Sequence, residues 1–121
     1  PAGAHLNVRL AILIREEPTV IEQLEQHRDE IANLCRRFGV RRLEVFGSAS
    51  TGAFREGESD FDFLVEFESP EKPGYADRYF GFKEALEGLF GVDVDLVVER
   101  VIRNQYFKAS VDESRSLLYA A

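Results

Sequence analysis

The sequence predicts an α+β (α/β) domain, a small sheet of three or four strands with helices packed on it. Two observations support this fold class. Some segments alternate apolar and polar residues, as half-buried strands do, and two longer segments repeat apolar residues every three or four positions, as amphipathic helices do. With 121 residues, the chain is long enough to bury such a core as a single domain, residues 1–121.

The longer segments predict two main helices. One begins after a cap at Thr19, runs to about Phe38 and ends at Gly39. The other runs over Tyr75–Phe90 and ends at Gly91. Two shorter helices are expected, at about 48–54 and about 102–109.

Three further segments have the composition and alternation of strands. They are Arg42–Phe46, Phe61–Phe67 and Val92–Val98. The tail around Leu117–Tyr119 fits either a short strand or a helical end. Residues 1–17 form a poorly defined N-terminal extension, in which the alternation of apolar residues favours a strand and a helix also fits.

The charge balance argues against avid nucleic-acid binding. The chain carries 15 basic and 22 acidic side chains, a net charge of −7, whereas binding through phosphate neutralisation needs clustered Lys and Arg. An acidic site that recruits a divalent cation fits this balance better. No apolar run is long enough to span a membrane and no signal peptide is recognised, so we expect a cytoplasmic protein.

Three side chains outside the charged motifs are expected in the interior. Cys35 is the only cysteine, so it has no internal disulfide partner, and its helical context predicts a buried thiol. Tyr106 and Phe107 are expected to be core aromatics rather than a platform on which a nucleotide base stacks.

Two pairs of carboxylates fall on predicted strands. Asp60 and Asp62 lie at the start of one strand, and Asp93 and Asp95 lie at the start of the next. Side chains two apart on a strand point to the same face, so each pair presents both carboxylates to one place. Solvated carboxylates at a strand end are one explanation. A bound cation such as Mg²⁺, which prefers oxygen ligands, is the other.

Asp95 is the better third carboxylate because it lies deeper in its strand than Asp93. Together with Asp60 and Asp62 it would complete a two-metal site, with ions about 3.5–4 Å apart. In that chemistry one ion lowers the pKa of an attacking hydroxyl, and the other holds a triphosphate and stabilises the leaving pyrophosphate. We therefore predict that these three residues are catalytic and bind metal, with two Mg²⁺ ions as the cofactor.

A Gly-Ser step stands where a predicted strand turns into a helix. Gly47 lets the backbone approach a phosphate closely, and the helix start after it offers free N–H groups to an anion. The Ser48 hydroxyl can donate to a phosphate oxygen. Alternatively, Ser48 is only the N-cap residue of the predicted helix. Combined with the carboxylates, the step predicts a phosphate holder in front of a metal site.

This combination resembles the minimal nucleotidyltransferases (MNT proteins, many of them antitoxins) of the DNA polymerase beta superfamily. The shared pattern is Gly-Ser, about ten residues, Asp-x-Asp, and a later Asp within a strand. The similarity covers about Phe38 to Tyr119. It implies the palm-like nucleotidyltransferase fold, a mixed sheet with helices mainly on one face. The resemblance is carried by VFGSASTGAFREGESDFDFLVEF and YFGFKEALEGLFGVDVDLVVE.

The resemblance implies transfer of a nucleoside monophosphate, with AMP from ATP as the first candidate, to an acceptor hydroxyl. Gly47 and Ser48 would bind the nucleotide's phosphates. Asp60 and Asp62 would bind the metals, while Asp95 would complete the site and help activate the acceptor. Many relatives are encoded beside a HEPN-domain protein as a toxin–antitoxin pair. In such pairs the nucleotidyltransferase can act as the antitoxin by adding AMP to a tyrosine of the toxin. A HEPN-type toxin is therefore the implied partner.

Two features depart from the family pattern. Eleven residues separate Ser48 from Asp60, one more than is usual, and Thr51 stands where many relatives carry a basic residue. Arg55 or Lys83 could replace that charge, or both are solvated surface cations. These departures leave open a non-catalytic antitoxin that neutralises its partner by binding. An antibiotic-modifying transferase would need a substrate-binding partner or a homodimer.

Overall fold

The computed structural model of the chain describes residues 20–47 and 61–121. The predictions for residues 1–17 and for the helix at 48–54 lie outside this part of the chain. None of the described helices is long and apolar enough to cross a membrane. The helices are α1 (Val20–Gln26), α2 (Arg28–Phe38), α3 (Tyr75–Phe90) and α4 (Gln105–Ser114), with a 3₁₀ turn at Glu99–Val101. The strands are β1 (Val40–Phe46), β2 (Phe61–Phe67), β3 (Val94–Val98) and β4 (Ser116–Ala120).

The first predicted helix is divided at His27, where the backbone leaves helical geometry with φ −103° and ψ 15°. Helices α1 and α2 therefore replace one continuous helix. The predicted helix ends are confirmed. Gly39 adopts a left-handed φ of 68° and its N–H donates to the carbonyl of Cys35. Gly91 does the same at φ 71°, with the carbonyl of Glu87 as acceptor.

Within the described residues, the strands form one mixed sheet in the order β3-β2-β1-β4. Strand β1 is antiparallel to both β2 and β4, and β2 is parallel to β3. The mixed sheet is therefore confirmed, and the tail of the chain is a strand rather than a helical end. Strand β2 has its predicted bounds. Strand β1 begins two residues earlier than predicted, at Val40, and β3 two residues later, at Val94.

The main core lies between one face of the sheet and helices α1, α2 and α3. Cys35 is fully buried there, as predicted, and burial raises the pKa of its thiol to about 12. Strand β2 contributes every second side chain, from Phe61 to Phe67. The core residues are Leu24, Ile31, Cys35, Val40, Leu43, Val45, Phe61, Phe63, Val65, Phe67, Phe82, Leu86, Val94, Leu96 and Leu118.

The opposite face of the sheet carries a smaller apolar cluster beneath α4. Phe46 and Leu64 from the strands and Val111 from the helix are buried in it. Val97 and Ile102 pack against its edge. Among the described elements, three helices cover one face and one covers part of the other, which confirms the expectation of helices mainly on one face.

Helix α4 starts later than predicted because Asn104 caps it. The Asn104 side-chain oxygen accepts hydrogen bonds from the backbone N–H groups of Tyr106 and Phe107, at 2.8 and 3.0 Å. With that start, the helix buries Val111 against the sheet. Tyr106 is 80% exposed and Phe107 is 41% exposed, so the prediction that both are core aromatics is wrong. The Phe107 ring makes an edge-on contact with Phe46, which belongs to the apolar cluster under α4.

A buried ion pair attaches the end of α4 to this second face. Glu44 on β1 is only 4% exposed, and its carboxylate accepts hydrogen bonds from the Arg115 guanidinium. Arg115 also makes two 2.8 Å bonds to Glu99. Burial alone would raise the pKa of Glu44, but hydrogen bonds from Arg115 and Arg42 outweigh it and lower that pKa overall. The Glu44 carboxylate is therefore held in its charged form.

Two glycines of α3 differ in the space beside them. A Cβ at Gly81 would lie 2.7 Å from Cε1 of Phe38, whereas a Cβ at Gly88 would meet nothing within 4 Å. We expect Gly88→Ala to raise the free energy of unfolding by about 0.5–1 kcal/mol, because Ala is the better helix former. Gly81→Ala should lower it by about 1 kcal/mol or more, because the Phe38 ring must move. Urea unfolding measures both, and equal gains would contradict the close contact.

Removing the Arg115 guanidinium should destabilise the fold, because the buried Glu44 carboxylate is left without its main partner. We expect Arg115→Met to lower the free energy of unfolding by about 3 kcal/mol, because Glu44 loses its main partner. Adding Glu44→Gln should restore a large part of that loss. Urea unfolding of the two variants and the wild type at neutral pH measures both effects.

The same pair sets a pH dependence. The folded-state pKa values of Glu44 and Glu99 are lowered, Glu44's against the effect of its burial and Glu99's chiefly by its hydrogen bond from Arg115. Their stabilisation is therefore present above the ordinary value of 4.5 and is lost as the pH falls below it. The double variant Glu44→Gln/Arg115→Met should lose less stability on acidification. An equal acid dependence in wild type and double variant would contradict this assignment.

Candidate active site

The turn after β1 is built on a glycine that lies against a carboxylate. Gly47 follows the last residue of β1 and has a φ of 76°, in the left-handed region that favours glycine. A Cβ at this position would lie 2.9 Å from Oδ2 of Asp62. The Gly47 backbone therefore approaches the Asp62 side chain more closely than any other residue type would allow.

Asp62 and Asp95 are direct partners in the parallel pairing of β2 with β3. Paired residues on adjacent strands lie about 4.8 Å apart and point to the same face of a sheet. The neighbours of Asp95 on either side, Val94 and Leu96, are buried in the main core. The two carboxylates therefore share the opposite face, side by side. The register thus places two of the predicted site carboxylates next to each other, while their role in a site stays a prediction.

The carboxylates lie at the end of the sheet, beside the apolar cluster under α4. Phe46 is the cross-strand partner of Asp62, so Phe46, Asp62 and Asp95 form one row across three strands. The next row contains Leu64 and Val97, which belong to the cluster. Asp62 is half-buried and Asp95 is exposed. The row thus has an apolar border on one side and opens to solvent at Asp95.

Two of the predicted site residues, Ser48 and Asp60, lie outside the described residues, as do Thr51 and Arg55. In the part of the chain that the structure describes, no group of three or more His, Cys, Asp or Glu side chains is arranged to hold a metal ion. Of the three predicted metal ligands, the structure describes two, Asp62 and Asp95. Carboxylate oxygens are the ligands that Mg²⁺ and Ca²⁺ prefer, so this donor set fits a hard divalent cation.

Asp93 is separated from the row by its position before the strand. It is exposed, and β3 begins only at Val94. Its backbone carbonyl accepts a 3.3 Å hydrogen bond from the N–H of Phe61, which helps align the starts of the two parallel strands. The preference for Asp95 over Asp93 therefore agrees with the strand boundary.

Lys83 does not replace the missing basic residue in the described structure. It belongs to α3, which packs on the core face, and its Nζ lies 2.9 Å from a carboxylate oxygen of Glu87. The same carboxylate accepts a hydrogen bond from the N–H of Val94. The hydrogen bond to Glu87 raises the pKa of Lys83, so the cation is stabilised where it is. Lys83 is therefore a surface cation, as in the second explanation, and it is paired with Glu87.

The contact that sequence reasoning missed is made by Ser114, the last residue of α4. Its hydroxyl oxygen accepts a 2.8 Å hydrogen bond from the N–H of Gly47. The two residues are 67 positions apart, and no local pattern marks Ser114 as a neighbour of the turn. The Gly47 N–H is thus already bonded within the protein.

A groove at the other end of the sheet is separate from this row. It is lined by Arg41, Phe67 and Arg100, among others. Phe67 ends β2, whereas Asp62 lies near its beginning. The groove therefore gives no access to the paired carboxylates.

The fold of the chain, with its mixed sheet, matches that of a solved minimal nucleotidyltransferase, which places it in the class of nucleotidyltransferase domains. The chain belongs to that family, since the profile of the nucleotidyltransferase domain matches residues 27–118. It is therefore a nucleotidyltransferase.

Relatives of this chain are found in both sequence and structure. The protein adenylyltransferase MntA of Thermococcus cleftensis is 38% identical over 104 residues, which cover 86% of this chain and 96% of that protein. A solved structure assigned as a minimal nucleotidyltransferase matches this chain with a TM-score of 0.66 and 36% sequence identity. The match covers 83% of this chain and 96% of that chain.

A more distant solved structure shares the fold. It is a complex of a tri-AMPylated Shewanella oneidensis HEPN toxin with an MNT antitoxin. The matching chain has a TM-score of 0.56 at 19% identity, over 81% of this chain and 73% of that one. At this identity the likeness establishes the common architecture.

The close approach of Gly47 to Asp62 can be tested against a matched glycine. Gly91 has a similar φ of 71°, but a Cβ there would meet nothing within 4 Å. We expect Gly91→Ala to lower the free energy of unfolding by about 1–2 kcal/mol through backbone strain alone. Gly47→Ala should lose a further 1–3 kcal/mol or so, because its Cβ collides with the Asp62 carboxylate.

Urea unfolding in the background of Asp62→Ala identifies the source of that excess. With the carboxylate removed, the additional loss caused by Gly47→Ala should disappear, while the loss caused by Gly91→Ala should not change. Equal losses for the two glycine variants in the wild-type background would show that the turn does not lie against Asp62.

Proposed function

We propose that the chain is a protein adenylyltransferase that uses Mg²⁺ and transfers AMP from ATP to a tyrosine hydroxyl of a HEPN-type toxin, as the antitoxin of a toxin–antitoxin pair acting in the cytoplasm. The observation that carries the proposal is the side-by-side placement of Asp62 and Asp95 next to the Gly47 turn. The family and the relative named as a protein adenylyltransferase support the reaction class.

The electrostatics of the row support a requirement for a cation. Asp62 and Asp95 place two carboxylates on one face, and the substrate is a polyanion. Two adjacent carboxylates would repel a triphosphate unless a positive charge lies between them. We assign Asp60, Asp62 and Asp95 as the ligands of Mg²⁺. When bound, Mg²⁺ supplies charge neutralisation for the triphosphate and makes the acceptor hydroxyl easier to ionise.

The remaining steps are assigned to the chain's own groups. Gly47 and Ser48 hold the phosphates at the turn, where the backbone comes close to Asp62. Asp95 orients the acceptor hydroxyl and receives its proton as the acceptor oxygen bonds to the α-phosphorus of ATP. The bond from that phosphorus to the bridging oxygen breaks, and pyrophosphate leaves.

The position of Asp95 suits a macromolecular acceptor. Strand β3 is at the edge of the described sheet, and Asp95 is exposed on it. An exposed carboxylate on this edge strand is a position at which a tyrosine side chain on the surface of another protein can be accepted. The HEPN toxin in the distant structural relative carries AMP, so in that complex a protein is the acceptor.

A pair of neighbouring aspartates tests the site. With ATP labelled in the α-phosphate, Mg²⁺ and the HEPN-type protein encoded next to this chain, we expect Asp95→Asn to reduce labelling by about 100-fold or more, the scale expected when a group that stabilises transition-state charge is removed. Asp60→Asn and Asp62→Asn should do the same. Asp93→Asn is the matched control and should keep wild-type labelling, because Asp93 lies before the strand.

Chelation of the metal and the toxin's activity complete the test. EDTA should abolish labelling and added Mg²⁺ should restore it. If the wild-type chain neutralises the toxin without transferring label, and Asp95→Asn neutralises it equally well, the chain acts by binding and the transferase proposal is wrong. Label transfer that survives Asp62→Asn and Asp95→Asn would place the active site elsewhere.

A further inference from the structure

The hydrogen bond between Gly47 and Ser114 has a defined direction. The Gly47 N–H donates to Ser114 Oγ at 2.8 Å, and the Ser114 hydroxyl in turn donates to the carbonyl of Ser110, at 3.4 Å. Because the hydroxyl hydrogen is directed towards its own helix, a lone pair of Oγ is left for the Gly47 amide. The amide lies one residue beyond β1 and finds its acceptor in α4 rather than in the sheet.

Ser114 is itself held between two anchors. Val111, one turn earlier in α4, is buried against Phe46 and Leu64. Arg115, the next residue, is bonded to the buried carboxylate of Glu44. The end of α4 therefore has little freedom to move relative to the sheet, and the Ser114 hydroxyl is presented to the turn from a rigid support.

We infer that Ser114 is a positioning residue of the nucleotide site. Its hydroxyl holds the Gly47 turn at the distance from Asp62 that lets the turn and the carboxylate act on one triphosphate. Ser114 is bonded to Gly47, so its effect on the nucleotide passes through the turn. The consequence for nucleotide binding rests on the function proposed above, whereas the hydrogen bond itself does not.

The inference predicts weaker binding of ATP without loss of the fold. Ser114→Ala removes the acceptor of the Gly47 N–H, and a hydrogen bond of this kind changes an equilibrium roughly 3- to 10-fold. We expect the Kd for ATP with Mg²⁺ to rise by that factor, measured by titration calorimetry at unchanged binding stoichiometry. Ser114→Thr keeps the hydroxyl, which can still bond to the preceding turn of the helix, and should restore the wild-type Kd.

A second readout is independent of the nucleotide. Hydrogen exchange of the Gly47 amide, followed by NMR in the protein without ligand, should be faster by a similar factor of roughly 3 to 10 in Ser114→Ala. It should be unchanged in Ser114→Thr. Ser110→Ala is the matched control, because Ser110 is an exposed serine on the same helix and contributes only its backbone carbonyl. It should leave both exchange and Kd as in the wild type.

The outcomes separate this inference from the proposed function. Unchanged Gly47 exchange in Ser114→Ala overturns the inference, and so does faster exchange with an unchanged Kd. A lower stoichiometry at wild-type Kd would mean a purely structural role and also overturns it. If the wild type transfers no label but Ser114→Ala still weakens ATP binding, only the proposed function is wrong. If the wild type binds no ATP, both are wrong.

Discussion

The register between β2 and β3 is the constraint on which the candidate site depends. Asp62 faces Asp95 because Phe61 pairs with Val94 and Phe63 with Leu96, and these apolar residues are buried in the main core. A shift by one residue would turn one carboxylate towards the core and an apolar side chain towards solvent. The hydrophobic core thus determines where the charges of the site stand.

One face of the sheet forms the main core, and the other carries the candidate site. Helices α1, α2 and α3 cover one face and supply most of the apolar burial. The other face carries the carboxylate row, and α4 covers only the part beside it. An ion pair between Glu44 and Arg115 anchors the end of this helix, and Ser114 joins it to the Gly47 turn. The C-terminal part of the chain therefore supports the candidate site from beside the row, on the same face of the sheet.

The two carboxylates of the row differ in their exposure to solvent. Asp62 is half-buried between β1 and β3, while Asp95 is exposed on the edge strand. The Gly47 turn lies against the Asp62 carboxylate, whereas Asp95 is accessible from solvent. This division agrees with the proposed transfer from a nucleotide to another protein, and one relative of the chain is a protein adenylyltransferase.

The sequence by itself determined the α+β class, the bounds of β2 and α3, the glycine helix ends and the candidate carboxylates. These are local properties, since periodicity and left-handed caps involve residues a few positions apart. It also singled out Ser48 and Asp60, whose assignment remains a prediction.

Only the tertiary structure decided the break at His27, the exposure of Tyr106 and Phe107, and the two contacts that anchor α4. Gly47 and Ser114 are 67 residues apart, and Glu44 and Arg115 are 71 apart. Such pairs meet only after the sheet and its helices have packed. No spacing along the chain records them, because their geometry is set by the assembled strands and not by neighbours in sequence.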